Sequence, residues 1–497
     1  MVTVDVELHR SKAANDLPRP RLVIGGEDVL EASGGVHDHV NPATGEVQAQ
    51  IPIAGAAEVD RAVTAARRAF EEVWGPMRPA ERRRLLTRFA GLVREHIDDF
   101  AAICPLENGV PIGGWAETVG PHVAEWTEYY AGWADKIEGS VGAAYSPHEF
   151  MEYTVAEPYG VIGHIITWNS PALSLAMKVP PSLAAGNTVV IKPAESTPYS
   201  ALLFADLARQ AGIPDGVINV VTGLAEAGEA MVTHPGIDKI SFTGGPATAR
   251  RIMASASAGL KPVVFELGGK SANLLFADVD LTTVGPYCTA FAMSNSGQGC
   301  ALPTRLLVER PIYDQVVEMA AAVAAGLAVG DPLDPATYIG PLINAAARER
   351  VEDVIEKAVA EKAGRLVFGG ERIQAEGFFV APTVFADVDN KSELAQKEVF
   401  GPVLAITPFD TEDEAVALAN DSEYGLSAYI QSANVDRVNR LVPRLRAGTV
   451  YVNPGPNPIT CAGTPFGGVG ISGFGREGGK AGLDEFIRVK GVGVGRL

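Results

Sequence analysis

The sequence predicts an α/β protein built on a parallel, doubly wound sheet. Three observations carry that expectation. From Tyr159 to Gly244, short apolar runs alternate with helical stretches at about 30 residues per unit, the length of a strand–helix–strand crossover. A second alternating block runs from Lys261 to Thr449. The chain has 497 residues, 47% hydrophobic and 20% charged, enough apolar material for two or three packed domains.

The elements follow in order. Residues 1–21 lack an apolar stretch of signal-peptide length and are expected to form a flexible lead-in. Arg21–Val29 reads as a strand with a Gly-Gly turn, Asn41–Val47 as a turn, and Glu58–Trp74 as an alanine-rich helix. Pro79–Ile103 has apolar residues at helical spacing and is expected to be one long helix. Arg82, Arg83 and Arg84 near its start oppose the helix dipole, so they are expected on a solvated face.

In the first block, strands are expected at 161–167, 187–192, 217–223 and 237–244. Helices are expected at Ala172–Ala185, interrupted by Pro180 and Pro181, and at Pro198–Gly212 and Ala225–His234. In the second block, strands are expected at 263–267, 271–277, 304–310 and 404–409, with helices at Tyr313–Gly326 and Ala345–Gly364. Residues 138–158 read as a polar hairpin of the kind that packs between subunits. Residues 463–479 read as a glycine-rich loop.

The formal charge is -19. So acidic a chain repels phosphate backbones and anionic lipid, which argues against nucleic-acid or membrane partners. The longest apolar stretch, Met319–Val329, is far short of the ~20 residues of a membrane helix. With no export signal, the expected location is the cytoplasm. The four cysteines are scattered without a CxxC pair, so neither a disulfide framework nor a bound metal is expected. Each cysteine alone reads as a small buried hydrophobe.

Two matches to the dinucleotide motif GxGxxG occur, at Gly468, Gly470 and Gly473 and at Gly473, Gly475 and Gly478. The motif needs a preceding strand, a following helix and an acid about 20 residues on. Here the flanks read as loop and the chain ends at residue 497, so both matches read as loop. Cys300 is different. Gly297 and Gly299 flank it and are expected to clear space for a planar carbonyl to approach the sulfur. Glu266 ends an apolar run and is either a paired structural acid or a base with a raised pKa. Asn169 is either a turn residue or a donor at a strand end. Lys192 and Glu195 follow a buried strand, where either could equally be a surface charge.

Together these residues resemble the aldehyde dehydrogenase superfamily. The resemblance rests on Trp168-Asn169, Lys192-Pro-Ala-Glu195, Glu266-Leu-Gly-Gly-Lys270, Gly297-Gln-Gly-Cys300, Glu398-Val-Phe400-Gly-Pro and Pro465-Phe-Gly-Gly468. Residues 41–47 and 330–342 also look like family segments, and the match extends from about Leu22 to Val489 with its motifs in order.

The resemblance implies a doubly wound NAD-binding domain (1–133 and 151–262), an α/β catalytic domain (263–477) and a β oligomerisation arm (134–150 and 478–497). The arm's last strand would add to a neighbouring subunit's sheet in a homodimer or homotetramer. It implies that Cys300 attacks an aldehyde carbon, that Asn169 and the Cys300 N–H hold the oxyanion, and that Glu266 activates the water that releases the acid. Lys178 and Glu477 match a proton-relay pair. Lys192 and Glu195 match the binders of the adenosine ribose, and an acid there favours NAD over NADP. Glu398 matches the partner of the nicotinamide ribose, Phe400 packs near the nicotinamide ring, Trp168 lies near the pyrophosphate, and Gly245 and Gly268 border the cofactor.

The chain departs from the family in two places. Gly245 stands where a serine is usual and Ala249 where a glycine is usual, which removes one hydroxyl contact to the pyrophosphate but leaves the helix N–H groups. In the expected substrate tunnel, Ser170, Ser174, Ser294 and Thr460 are small, Met177 replaces a common tryptophan, and Phe466 completes the wall. Cys461 and Ile459 lie nearby. Small side chains leave volume for a bulkier aldehyde, aromatic or terpenoid, although the hydroxyls would equally suit a polar one. An acyl transferase to coenzyme A is the same-fold rival, but such members generally lack the base present here as Glu266. A binding or scaffold protein that had lost the chemistry would show damage at Cys300, Glu266 or Asn169, and none is seen. Ester hydrolysis by the same cysteine is a further side activity.

Overall fold

A computed structural model describes residues 6–15, 17–115, 119–142, 150–455 and 460–495. Two sheets dominate it. The order in the first is Gly473–Phe474, Val263–Leu267, Lys239–Gly244, Val161–Ile165, Thr188–Lys192, Ile218–Val220, Leu22–Ile24, Glu27–Val29. The five strands from Val263–Leu267 to Ile218–Val220 are parallel, and the edges are antiparallel. Strands Val161–Ile165 and Thr188–Lys192 are buried along their whole length, as expected where helices cover both faces. Chain order reverses between Val161–Ile165 and Lys239–Gly244, which are neighbours in the sheet. Such a reversal opens a crevice at the carboxyl ends of the strands, where ligands bind.

The second sheet runs Arg365–Phe368, Thr383–Ala386, Val403–Phe409, Arg305–Glu309, Ala272–Leu275, Ser427–Gln431, Thr449–Val452. It is parallel except at its first pair. A separate ribbon pairs Phe150–Pro158 with Ile487–Gly495 antiparallel.

Several expectations need correction. The lead-in is not irregular: Val6–Asn15 is a helix packed against Ile97–Asn108, with Lys12 paired to Asp99 and Arg10 to Asp331 at 2.7 Å. The long helix expected over 79–103 is two, Pro79–Glu95 and Ile97–Asn108. They are broken at His96, whose φ of −105° and ψ of 20° leave the helical region. Arg82 is not solvated. It is buried against the Trp74 ring at 5.9 Å, and desolvation pulls its pKa down to about 10. Pro180 and Pro181 do not interrupt Pro171–Ala185, which continues as helix to Gly186. Strand Val263–Leu267, expected to open the second domain, pairs with Lys239–Gly244 in the first sheet. Part of the glycine-rich loop, Gly473–Phe474, pairs with it from the other side. One edge of the last strand pairs with Phe150–Pro158 of its own chain, which leaves the expected addition to a neighbouring sheet to its other edge, and the expected hairpin has a Val141–Tyr153 bridge. Residues 143–149 of that hairpin lie outside the described residues, as does Ile459.

Candidate active site

Two cavities meet at Cys300. A cleft of about 630 Å³ is lined by Trp168, Asn169, Gly245, Glu266, Gly268, Arg350, Glu398 and Phe400, among others. A tunnel of about 1070 Å³ is lined by all six expected tunnel residues, Ser170, Ser174, Met177, Ser294, Thr460 and Phe466, and by Glu477. The two share Thr167, Asn169, Thr243, Glu266 and Cys300. Of the four cysteines, Cys104 and Cys288 are buried in cores, Cys461 is exposed, and Cys300 alone lines both cavities.

The local sequence explains these placements. Thr167, Trp168 and Asn169 follow the carboxyl end of Val161–Ile165, and Gly245 follows the carboxyl end of Lys239–Gly244, so they flank the crevice at the chain reversal. Ser170 caps helix Pro171–Ala185, and Ser174, Met177 and Lys178 follow at helical spacing, which puts them on one face. Phe466 and Glu477 pair antiparallel, with the Glu477 N–H donating to the Phe466 carbonyl at 2.7 Å.

The approach to Cys300 is a strained turn. Asn295 and Ser296 have φ of 48° and 55° and Gly297 one of 73°, three left-handed residues in succession. Strain of this kind persists only where surrounding contacts enforce it. Here the Asn295 amide donates to the Asn169 and Gln298 carbonyls at 3.1 and 3.2 Å, and Ser296 donates to the Gly340 carbonyl at 2.8 Å. A Cβ on Gly297 would fall 1.9 Å from the Gly401 carbonyl oxygen, and one on Gly299 would fall 2.8 Å from the Leu302 side chain. Gly297 thus permits close backbone packing, and Gly299 leaves room for the Leu302 side chain.

Asn169 is 9% exposed, and its side-chain amide donates to the Gln298 carbonyl at 2.9 Å, which leaves its second N–H without a partner among the described residues. Asn108, at the end of helix Ile97–Asn108, donates to the Trp168 and Asn169 carbonyls at 3.0 and 3.3 Å. The sequence reading missed Asn108, Asn295 and Gln298. They lie far from Asn169 along the chain, and no spacing rule connects them.

Glu266 is 3% exposed, and neither carboxyl oxygen has a hydrogen-bond partner among the described residues. Desolvation, then the nearby Glu477, pushes its pKa well above the usual carboxylate range, against opposing pulls from Lys178 and Arg476. Lys178 pairs with Glu477 and donates to the Ser241 hydroxyl at 2.9 Å. Burial pushes the Cys300 thiol up to about 12, and the Glu398, Glu266 and Glu477 carboxyls add to that.

In the cleft, the Gly269 N–H donates to Glu398 Oε1 at 2.9 Å. A Cβ on Gly268 would lie 2.2 Å from Glu398 Oε2, so only glycine leaves that carboxyl its place. Burial raises the Glu398 pKa to about 7, against the Gly269 hydrogen bond, Lys270 and Arg350. Trp168 and Phe400 meet edge to face at 5.4 Å. Gly245 precedes helix Pro246–Ser257, which no side chain caps, and a Cβ at Gly245 would meet nothing within 4 Å. Gly244 and Gly245 line the cleft just ahead of that helix, and a helix start without a side-chain cap suits an anion. Ala249 is buried at 2% and packs into a core, so its methyl group stays out of the cleft. Lys192 and Glu195 line neither cavity. Lys192 ends the next strand, with its ammonium buried and its pKa lowered by desolvation.

The tunnel is more aromatic than its small residues suggested. Phe291, Tyr429 and Tyr451 form one wall: Phe291 meets Tyr429 edge-on at 5.8 Å, and Tyr429 stacks on Tyr451 at 5.0 Å. Trp126 also lines it. The Ser294 hydroxyl donates to the Phe291 carbonyl at 2.9 Å, and the Thr460 hydroxyl pairs with Tyr451.

The model of the aldehyde dehydrogenase family matches residues 30–492. Aldehyde dehydrogenase 1 of Tanacetum cinerariifolium is 41% identical over 487 residues, covering 96% of each chain. The mitochondrial benzaldehyde dehydrogenase of Antirrhinum majus is 40% identical over 480 residues, 95% of this chain and 88% of that one. A solved indole-3-acetaldehyde dehydrogenase in complex with NAD+ superposes with a TM-score of 0.95 at 35% identity, covering 99% of this chain and 100% of the other. The chain belongs to the aldehyde dehydrogenase family and is an enzyme of aldehyde oxidation that uses a nicotinamide cofactor.

Proposed function

We propose that the chain oxidises a bulky, planar aldehyde to its acid through a covalent Cys300 adduct, with NAD as oxidant and water as final acceptor. The observation that carries this reading is the meeting of cleft and tunnel at Cys300, beside a buried Glu266 whose carboxyl has no hydrogen-bond partner among the described residues.

The steps follow from the groups present. The Cys300 thiol gives its proton to water and the sulfur bonds to the aldehyde carbon, whose C=O electron pair moves onto oxygen. The raised pKa makes this uphill unless positive charge is present in the cleft; Gly245, Gly268, Glu398 and Phe400 would hold an oxidised nicotinamide cofactor there, which would supply that charge and the capacity to take up a hydride. The second side-chain N–H of Asn169 and the Cys300 backbone N–H hold the oxyanion. Loss of hydride from the adduct carbon restores a C=O double bond and leaves a thioester on Cys300. Glu266, ionised, takes a proton from water; the hydroxide adds to the thioester carbon, and the C–S bond breaks to release acid and thiolate. Lys178 and Glu477 carry the proton away from Glu266. Water is favoured over coenzyme A as acceptor because Glu266 is present to activate it.

The aromatic wall supports a planar substrate, since ring faces and edges are worth ~0.5–1.5 kcal/mol per pair beyond area burial. Relatives named for benzaldehyde and indole-3-acetaldehyde fit that choice. Glu195 disfavours a 2′-phosphate and supports NAD over NADP, with Lys192 beside it at the adenosine ribose. Residues 1–133 and 151–262, with strand Val263–Leu267, would form the cofactor-binding part, and the rest to 477 the catalytic part. Residues 134–150 and 478–497 would form the oligomerisation arm; the ribbon of Phe150–Pro158 and Ile487–Gly495 exposes Met151, Val489 and Val494 at 57, 69 and 50%, which suits a dimer or tetramer contact. A panel of aldehydes tests the substrate reading: kcat/KM for benzaldehyde-like substrates should exceed that for acetaldehyde at least tenfold, and the reverse order would overturn it.

A further inference from the structure

Asn108 closes helix Ile97–Asn108 and lines neither the cleft nor the tunnel. It is 1% exposed, yet its side-chain amide is spent on the site. Nδ2 donates to the Trp168 carbonyl at 3.0 Å and to the Asn169 carbonyl at 3.3 Å, and Oδ1 accepts the Val110 N–H at 3.3 Å. A side-chain amide offers two donors on one side and an acceptor on the other, which is what these three backbone groups require.

The helix end that carries Asn108 is held from behind. Glu107 is fully buried and accepts the Ser200 N–H and hydroxyl at 2.9 and 2.7 Å, which pins this end to helix Tyr199–Gln210. Gly109 follows with φ of 73°, and a Cβ there would fall 2.5 Å from the Pro341 ring. The Gly340 and Pro341 carbonyls accept from Ser296 at 2.8 Å and from Gln298 at 3.4 Å, in the turn before Cys300. Trp168-Asn169 and the Cys300 turn therefore rest on one seam. Asn169 is held at three points: its carbonyl accepts from Asn108 and Asn295, and its amide donates to the Gln298 carbonyl. Two of these ties come from the Cys300 turn, so Asn108 is the tie that fixes the pair against the helices behind it.

We propose that Asn108 is a positioning residue for the oxyanion donor: its two hydrogen bonds set the direction in which Asn169 presents its amide beside Cys300. This rests on the reading of Asn169 as that donor. A double-mutant cycle in the full-length enzyme tests it, with kcat and KM for one aromatic aldehyde and a direct titration with NAD. Asn108→Ala should lower kcat about tenfold, within what a small displacement of a catalytic group costs, and leave KM and NAD affinity within about twofold. In an Asn169→Ala background the same substitution should cost nothing further. Asn108→Ser keeps one donor and should lose a smaller factor, again only where Asn169 is present; it carries the test if Asn108→Ala does not fold. An unchanged kcat in a folded variant, an equal loss in both backgrounds, or a loss confined to KM or NAD affinity would overturn the positioning role. If Asn169→Ala itself kept full kcat, the oxyanion reading would fall first and take this proposal with it.

Discussion

The cleft and the tunnel meet at one sulfur, yet they are built from different materials. The cleft owes much of its shape to backbone: Gly244 and Gly245 at a strand end, the Gly269 N–H on Glu398, and a Gly268 whose missing Cβ leaves room for that carboxyl. The tunnel is side chain throughout, with Phe291, Tyr429 and Tyr451 on one wall and small hydroxyl residues among the others. Backbone geometry admits few substitutions, whereas a wall of side chains can be refitted to a new substrate without moving the strands beneath it. The cleft should therefore fail when changed by one methyl, and the tunnel should change preference and keep its chemistry.

Cys300→Ala has the largest expected effect, because it removes the nucleophile both cavities serve. Aldehyde-dependent NADH formation should fall to background, measured by absorbance at saturating substrate. Asn169→Ala should lower kcat by ~10²–10³, the usual cost of one oxyanion donor. A change confined to KM would mean that Asn169 binds substrate and does not hold the oxyanion. Gly268→Ala should weaken NAD binding by about tenfold, a factor that ~1.4 kcal/mol supplies, because its Cβ would displace Glu398. Direct titration of the apo-protein with NAD reads this, and unchanged affinity would contradict the backbone account of the cleft. Ser170→Phe should cost the bulkiest aldehydes about tenfold in kcat/KM, within the range of small pocket changes, and leave NAD affinity alone.

The same contrast explains what could be learned from the sequence. Strand ends and glycine pairs repeat as short local patterns, so Trp168, Asn169, Glu266, Gly268 and Cys300 were recognisable, and the structure brings them to one place. The six expected tunnel residues line the tunnel as well, but its aromatic wall comes from three distant segments and went unseen. Asn108 escaped for the same reason, since it supports Asn169 from 61 residues away. Val263–Leu267 was placed with the second block because it is contiguous with it, but hydrogen bonding to Lys239–Gly244 assigns it to the first sheet. The role of Gly297 needed the opposing Gly401 carbonyl to be visible.

Glu266 is the residue on which the chemistry turns, and its environment predicts a pH dependence. Its pKa is raised by desolvation and by Glu477, so the ionised base is lost as pH falls through that raised value. Turnover should decline on that limb, while a first hydride burst persists.

Glu266→Gln separates the two halves of the reaction most directly. Mixed with NAD and an aromatic aldehyde, this variant should release one NADH per site rapidly and then turn over ~10²–10⁴-fold slower than wild type. Mass spectrometry of the quenched protein should find the acyl group on the peptide containing Cys300. A variant that shows no burst and no acyl-Cys300, or that turns over at the wild-type rate, would contradict the account.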